Sequence, residues 1–146
     1  MIKNFEEIRQ IVLQRDSKAR LGVIGSHESH ALEAAAAAMK DGIVTPVLYG
    51  IREETEAAWE ELNTGLPLPE IIDCRTDEQL AETVIRDAHD GKLDALLKGK
   101  IYTQTFLRAV LNKEWGLRTG RQLSHVLLMQ VPAYHKMLFL QKLNPL

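Results

Sequence analysis

A single cysteine, Cys74, means that no internal disulfide can form. That fits a reducing compartment, and the cytoplasm is the expected location. No apolar run approaches the roughly 20 residues that a membrane-spanning helix needs. The start of the chain, Met1 to Glu7, is acidic and amphipathic, so it lacks the basic stretch and apolar core of a secretory signal. No Cys/His cluster has the spacing of a metal site, and no metal is expected. Neither G-x-G-x-x-G nor a Walker lysine occurs, which leaves a nucleotide-binding reading weak. Internal repeats, low-complexity tracts and interdomain linkers are also missing.

What remains is the composition of an ordinary globular domain: 146 residues, 45% apolar and 26% charged. The net charge of −2 conceals a strong asymmetry. Residues 1–97 carry 10 Lys/Arg against 19 Asp/Glu, a balance of −9, whereas residues 98–146 carry 8 Lys/Arg against Glu114 alone, a balance of +7. A basic C-terminal third points to an anionic ligand. Its cations are scattered rather than blocked and no nucleic-acid signature accompanies them, so a phosphorylated small molecule fits better than nucleic acid. A solvated basic face is the plainer alternative.

Apolar spacing predicts a helix over about 3–15 with Phe5, Ile8, Ile11 and Val12 on one face. A strand at 20–25 follows, then a helix with Leu32, Ala35, Ala36 and Met39 inward, ended by Lys40 and Gly42. A strand at 46–50 leads to a helix over 53–63 with Thr55, Ala58, Trp59 and Leu62 inward. After a short strand at 70–73, Thr76 and Gln79 have capping-box spacing before a helix that buries Ala81, Val84, Ile85 and Ala88. A strand at 94–97, a helix over 103–113, and strands at 123–131 and 136–140 complete the pattern. Such alternation predicts an α/β three-layer sandwich with helices on both faces of a mainly parallel sheet. The last two strands are close enough in sequence to pair antiparallel, so the sheet is expected to be mixed.

Ligands of open α/β sheets bind beyond the carboxyl ends of the strands. That rule singles out Gly25-Ser26-His27, the turn at Gly50, and 98–105. Ser26 reads best as a helix N-cap. The segment from Lys98 offers more: a lysine leaving a strand, Gly99 for close backbone approach, and Thr103 and Thr105 where a new helix exposes free N–H groups. A phosphate cradle and a merely capped helix with solvated lysines are both open on these residues.

Here the sequence resembles phosphate butyryltransferases and phosphate acetyltransferases. The resemblance is carried by Leu97-Lys98-Gly99, Thr103, Thr105, Phe106 to Asn112, Gly116 to Arg121 and Leu123 to Val126. It extends to Ala31–Ala38, Gly42-Ile43 and Pro46-Val47-Leu48, and in all covers roughly 5–140. It implies half of a two-domain enzyme of the isocitrate/isopropylmalate-dehydrogenase-like kind. The reaction implied is acyl-CoA plus phosphate to acyl phosphate plus coenzyme A, with coenzyme A as substrate and no cofactor. By motif match, Lys98, Gly99, Thr103, Thr105, Arg118, Ser124 and His125 are expected to line the substrate cleft. Arg118 suits a phosphate because its planar fork can hold two oxygens. Ser124 can donate to a phosphoryl or carbonyl oxygen. His125 can do likewise or make a structural hydrogen bond. No catalytic residue is assigned, and Cys74 is read as incidental.

On this reading residues 1–140 form the family's N-terminal α/β domain and 141–146 an atypical tail, with the second domain absent and activity impaired. The alternative is a non-catalytic module that binds an anion, coenzyme A or a protein. Met137-Leu138-Phe139-Leu140 is an apolar strand in need of cover, so a homodimer or higher homo-oligomer is expected.

Overall fold

A computed structural model describes residues 2–121 and 123–143, in two compact units. Of the expected tail, residues 144–146 lie outside the described residues.

The larger unit, residues 17–118, is built on four parallel strands: β1 (Ala19–Ile24), β2 (Val44–Gly50), β3 (Glu70–Asp73) and β4 (Ala95–Lys98), in the order β3-β2-β1-β4. The helices of this unit are α2 (Ser29–Lys40), α3 (Arg52–Glu61), α4 (Asp77–His89) and α5 (Thr103–Val110). Neighbouring side chains in a strand point to opposite faces, and each strand divides its apolar residues accordingly. Val23, Leu48, Ile71 and Leu97 face α2 and α3, packing with Leu32, Ala35, Ala36 and Trp59. Ile24, Tyr49, Ile72 and Leu96 face α4 and α5, packing with Leu80, Val84, Ile85 and Ala109. A sheet with helices on both faces results. The inner stripes expected of α2 and α4 pack inward, with Met39 and Ala88 only partly buried and Ala31 and Leu80 joining the buried set.

The smaller unit joins residues 1–16 to 119–146. Within it α1 (Phe5–Leu13) is N-capped by Asn4, whose Oδ1 accepts from the Glu7 N–H at 2.8 Å. Strands β5 (Ser124–Met129) and β6 (Leu138–Leu143) form an antiparallel hairpin, and Gln130 Oε1 accepts from the Phe5 N–H at 2.9 Å.

Two expectations need correction, and one helix is unburied despite its apolar face. The sheet of the larger unit is purely parallel, because β5 and β6 pair antiparallel with each other in a sheet of their own. The helix predicted over 3–15 forms, yet none of its residues is buried: Phe5 is 49% and Ile11 48% exposed. The capping box before α4 is offset. Thr76 accepts from the Gln79 N–H at 3.2 Å, but the Gln79 carbonyl accepts from Arg75, one residue earlier, at 2.9 Å.

One exposed pair joins the start of β1 to the turn before β4. Asp94 accepts from the Arg20 backbone N–H, Nε and Nη2 at 2.8–2.9 Å. The Arg20 side chain, then its N–H, holds the Asp94 carboxyl down at about 2. A depressed carboxylate stabilises the fold above its unfolded pKa of about 3.9 and loses that contribution as pH falls through the folded value. Asp94→Asn is therefore expected to flatten the acid limb of the melting-temperature profile between about pH 4 and 2. Thermal melts of both proteins across that range check it.

Candidate functional site

In the order β3-β2-β1-β4 the strands stay parallel, but the direction in which successive strands are added reverses between β1 and β4. Ligand crevices of open α/β sheets form at such a point, at the carboxyl ends of the two strands. A cleft of about 380 Å³ occupies this position, lined by His27, Asp77, Lys98, Gly99, Lys100, Ile101 and Tyr102.

Glycines make the crossing of the two loops possible. Gly25 has φ +67°, and a Cβ there would lie 2.7 Å from the Lys100 backbone nitrogen. A Cβ on Gly99 would lie 2.7 Å from the Ile24 carbonyl oxygen and 2.9 Å from that of Gly25. The Gly99 N–H donates to Ile24 at 2.7 Å. Gly99 is thus required by the chain's own backbone, whereas the sequence reading assigned its close approach to a ligand.

Lys98 and Lys100 are exposed, and among the described residues neither forms an ion pair. The Lys98 ammonium has only a long bond to the Gly99 carbonyl, 3.4 Å. Asp77, from the first turn of α4, accepts from the Tyr102 N–H at 3.1 Å, the residue that caps α5. Tyr102 contributes no side-chain cap, and Thr103 is the first residue of the helix rather than its cap. No side chain caps α5, whose cap residue Tyr102 lines the cleft with the two lysines. The N-terminus of α2 is different. Glu28 accepts from Ala31 and His30 N–H groups at 3.0 and 3.1 Å, and those bonds hold its carboxyl below the usual range. An anion arriving at this crevice thus meets a free helix terminus at α5 and an occupied one at α2.

Ser26 is not the N-cap that its position implied; Glu28 is. Ser26 is fully buried, and its hydroxyl pairs with that of Thr55 at 2.9 Å. Gly50 packs against the same pair, since a Cβ there would lie 2.8 Å from Ser26 Oγ, so the turn at Gly50 is filled. Cys74 is buried under the sheet, and burial pushes its thiol up.

Of the residues expected at the site, Lys98 and Gly99 come together in the cleft. Thr103 is exposed at the head of α5. Thr105 lines a separate groove of about 170 Å³ with Glu78, Glu82, Arg108, Asn112 and Trp115. Arg118 is exposed and lines neither opening. Ser124 and His125 are exposed residues at the start of β5, in the smaller unit. His27 lies in the segment singled out after β1 but was not among the expected site residues, and Asp77 was not foreseen at all. His27 carried a signal, as a titratable side chain three residues past the end of β1. Asp77 carried none, because its distance from Lys98 along the chain hides the proximity created by α4 packing on the sheet.

No protein-family model matches the chain. Curated proteins do. The chain is 33% identical to the phosphate butyryltransferase of Clostridium beijerinckii over 140 residues, covering 96% of this chain and 46% of that protein. Identity to the phosphate butyryltransferase of Clostridium acetobutylicum is 34% over the same shares. Against the phosphate acetyltransferase of Thermotoga maritima it is 31% over 130 residues, 89% of this chain and 44% of that protein. The chain is a homologue of the N-terminal half of the phosphate butyryl- and acetyltransferases. It spans about half the length of the curated relatives it matches. A match over 96% of the chain takes in the whole crevice of this phosphate acyltransferase homologue, from His27 to Tyr102. Among its described residues no helix is long and apolar enough to cross a membrane.

Proposed function

We propose that the chain is a phosphate acyltransferase by descent, of the isocitrate/isopropylmalate-dehydrogenase-like fold. Its β1/β4 cleft receives a phosphate-bearing group, either inorganic phosphate or a phosphate of coenzyme A. The observation that carries the proposal is the similarity to phosphate butyryl- and acetyltransferases along 96% of the chain. The cleft supports it, since two unpaired lysines and an open helix terminus converge where α/β sheets bind ligands.

In the reaction, a phosphate oxygen attacks the thioester carbonyl of an acyl-CoA. The C–O bond forms, the C–S bond breaks, and the thiolate leaves with the electron pair and takes up a proton. The reverse reaction needs that thiol deprotonated before it attacks the acyl phosphate, a task for a general base. Cations beside the phosphate stabilise charge as it develops on the phosphoryl oxygens. Lys98 and Lys100 supply such cations here. Arg118, through its planar fork, is the proposed second phosphate contact. Thr103 and Thr105 are proposed hydroxyl donors to the substrates on the larger unit, and Ser124 and His125 are proposed substrate contacts of the smaller unit by resemblance alone.

A coupled assay of thiol release from butyryl-CoA or acetyl-CoA with phosphate tests this reading. The expected result is turnover above background that Arg118→Ala lowers about tenfold or more, as fits loss of a charge-assisted contact. Turnover indifferent to Arg118 contradicts the role given to it. A second reading is a non-catalytic module that takes coenzyme A or another anion in the same lysine-lined cleft. Coenzyme A binding without thiol release distinguishes it.

Self-association is part of the same proposal. Phe139 and Leu140 of β6 are 62% and 55% exposed, and Val126, Leu127 and Leu128 of β5 are exposed as well. Exposed apolar residues on the edge strands of a two-stranded sheet favour pairing with a second copy. Sedimentation at micromolar concentration is expected to show a homodimer or larger species that Phe139→Lys dissociates. A monomer at every concentration contradicts it.

A further inference from the structure

His27 is the residue of the cleft that nothing above employs. Its ring lines the opening beside Lys98 and Lys100, and its side chain is only 21% exposed. Its Nδ1 is fully buried and has no hydrogen-bond partner, the one such side-chain nitrogen or oxygen among the described residues. Leaving a buried polar atom unpaired costs free energy, so its retention calls for an explanation. The nearest candidate partner is Glu54 of α3, whose Oε2 lies 4.0 Å from Nδ1, just beyond hydrogen-bond reach.

We propose that His27 is an anion contact of the β1/β4 cleft, completed by protonation. A proton on Nδ1 lets Glu54 close on the ring from behind, while Nε2–H turns to the ligand. This inference rests on the reading of the cleft as an anion site and adds a residue to it.

Charge decides the effect. With His27 neutral, the lining carries Lys98, Lys100 and Asp77, a balance of +1; with His27 protonated the balance is +2. The second state matches a doubly charged phosphate group. The charged groups around the ring come from every neighbouring element. The carboxylates are Glu54 on α3, Glu28 at the N-cap of α2 and Asp77 on α4, and the cations are Lys98 and Lys100. His30, at the start of α2, is turned to Glu33 at 3.9 Å. Ligand and proton are therefore linked: each strengthens binding of the other by the same factor.

Inorganic sulfate is a suitable probe, because it stays doubly charged across the range in which imidazole titrates. The full chain is titrated with sulfate at pH 5.5 and 8.0 at constant ionic strength, alongside His27→Gln, Glu54→Gln and Lys98→Ala. Histidine resonances of the unaltered chain are followed with and without sulfate. The expected result is about tenfold tighter binding at pH 5.5, a difference abolished by His27→Gln and reduced by Glu54→Gln. Sulfate is also expected to shift upward the titration of the one histidine resonance that His27→Gln removes. Binding that needs Lys98 but keeps its pH dependence in His27→Gln, with no sulfate-induced shift of the His27 resonance, overturns the inference alone. Absence of saturable binding, or binding indifferent to Lys98, overturns both the inference and the anion reading beneath it.

Discussion

Gly25→Ala is expected to destabilise the larger unit by about 3 kcal/mol and lower its melting temperature by about 10 °C. Two causes add. At φ +67° an alanine sits in the left-handed region, which costs an L-residue with a Cβ about 1–2 kcal/mol. The new methyl also meets the Lys100 backbone, with its nitrogen and carbonyl carbon both 2.7 Å away, so the loop after β4 has to move. Overpacking of this kind typically costs about 1–3 kcal/mol. Gly91→Ala is the matching control. It has φ +76° with nothing within 4 Å of a Cβ, so it isolates the backbone term. Thermal denaturation of the two variants separates them. An equal loss at both positions contradicts the claim that the loops cross tightly at the cleft.

The same residues show what a sequence can and cannot disclose. The strands and helices of the larger unit were legible because burial imposes its own spacing. Val23 and Ile24, or Leu48 and Tyr49, are adjacent in sequence yet pack on opposite faces of the sheet. Segregation of the last two strands into a separate sheet was not legible, because nothing local in β5 or β6 specifies which edge it pairs with. Ser26 shows a related limit. A serine after a strand and before a helix has the chemistry of a cap, but Thr55 across the fold takes its hydroxyl and Glu28 takes the cap. Lys98 was found because it abuts a strand end. Asp77 joined the cleft only through the packing of α4, a tertiary fact absent from local sequence.

The second large effect concerns ligand binding. Lys98→Ala combined with Lys100→Ala is expected to weaken binding of coenzyme A about 30-fold. Each lysine is exposed, so its contact with a phosphate is discounted to about 1 kcal/mol. Long-range attraction by a basic surface is the competing explanation, and it predicts that any two lysines serve equally. Lys18 and Lys40 provide the comparison. They are exposed in the same unit, but Lys18 precedes β1 and Lys40 ends α2, at the opposite end of the sheet from the cleft. Removing them changes the net charge by the same amount.

Calorimetric titration of coenzyme A into the unaltered chain, the Lys98/Lys100 double variant and the Lys18/Lys40 double variant tests the cleft most directly. Saturable binding to the unaltered chain is expected, weakened about 30-fold by the loss of Lys98 and Lys100 and by less than about threefold by the loss of Lys18 and Lys40. No saturable binding, or equal weakening in the two variants, contradicts the assignment of the β1/β4 cleft as the phosphate-binding site.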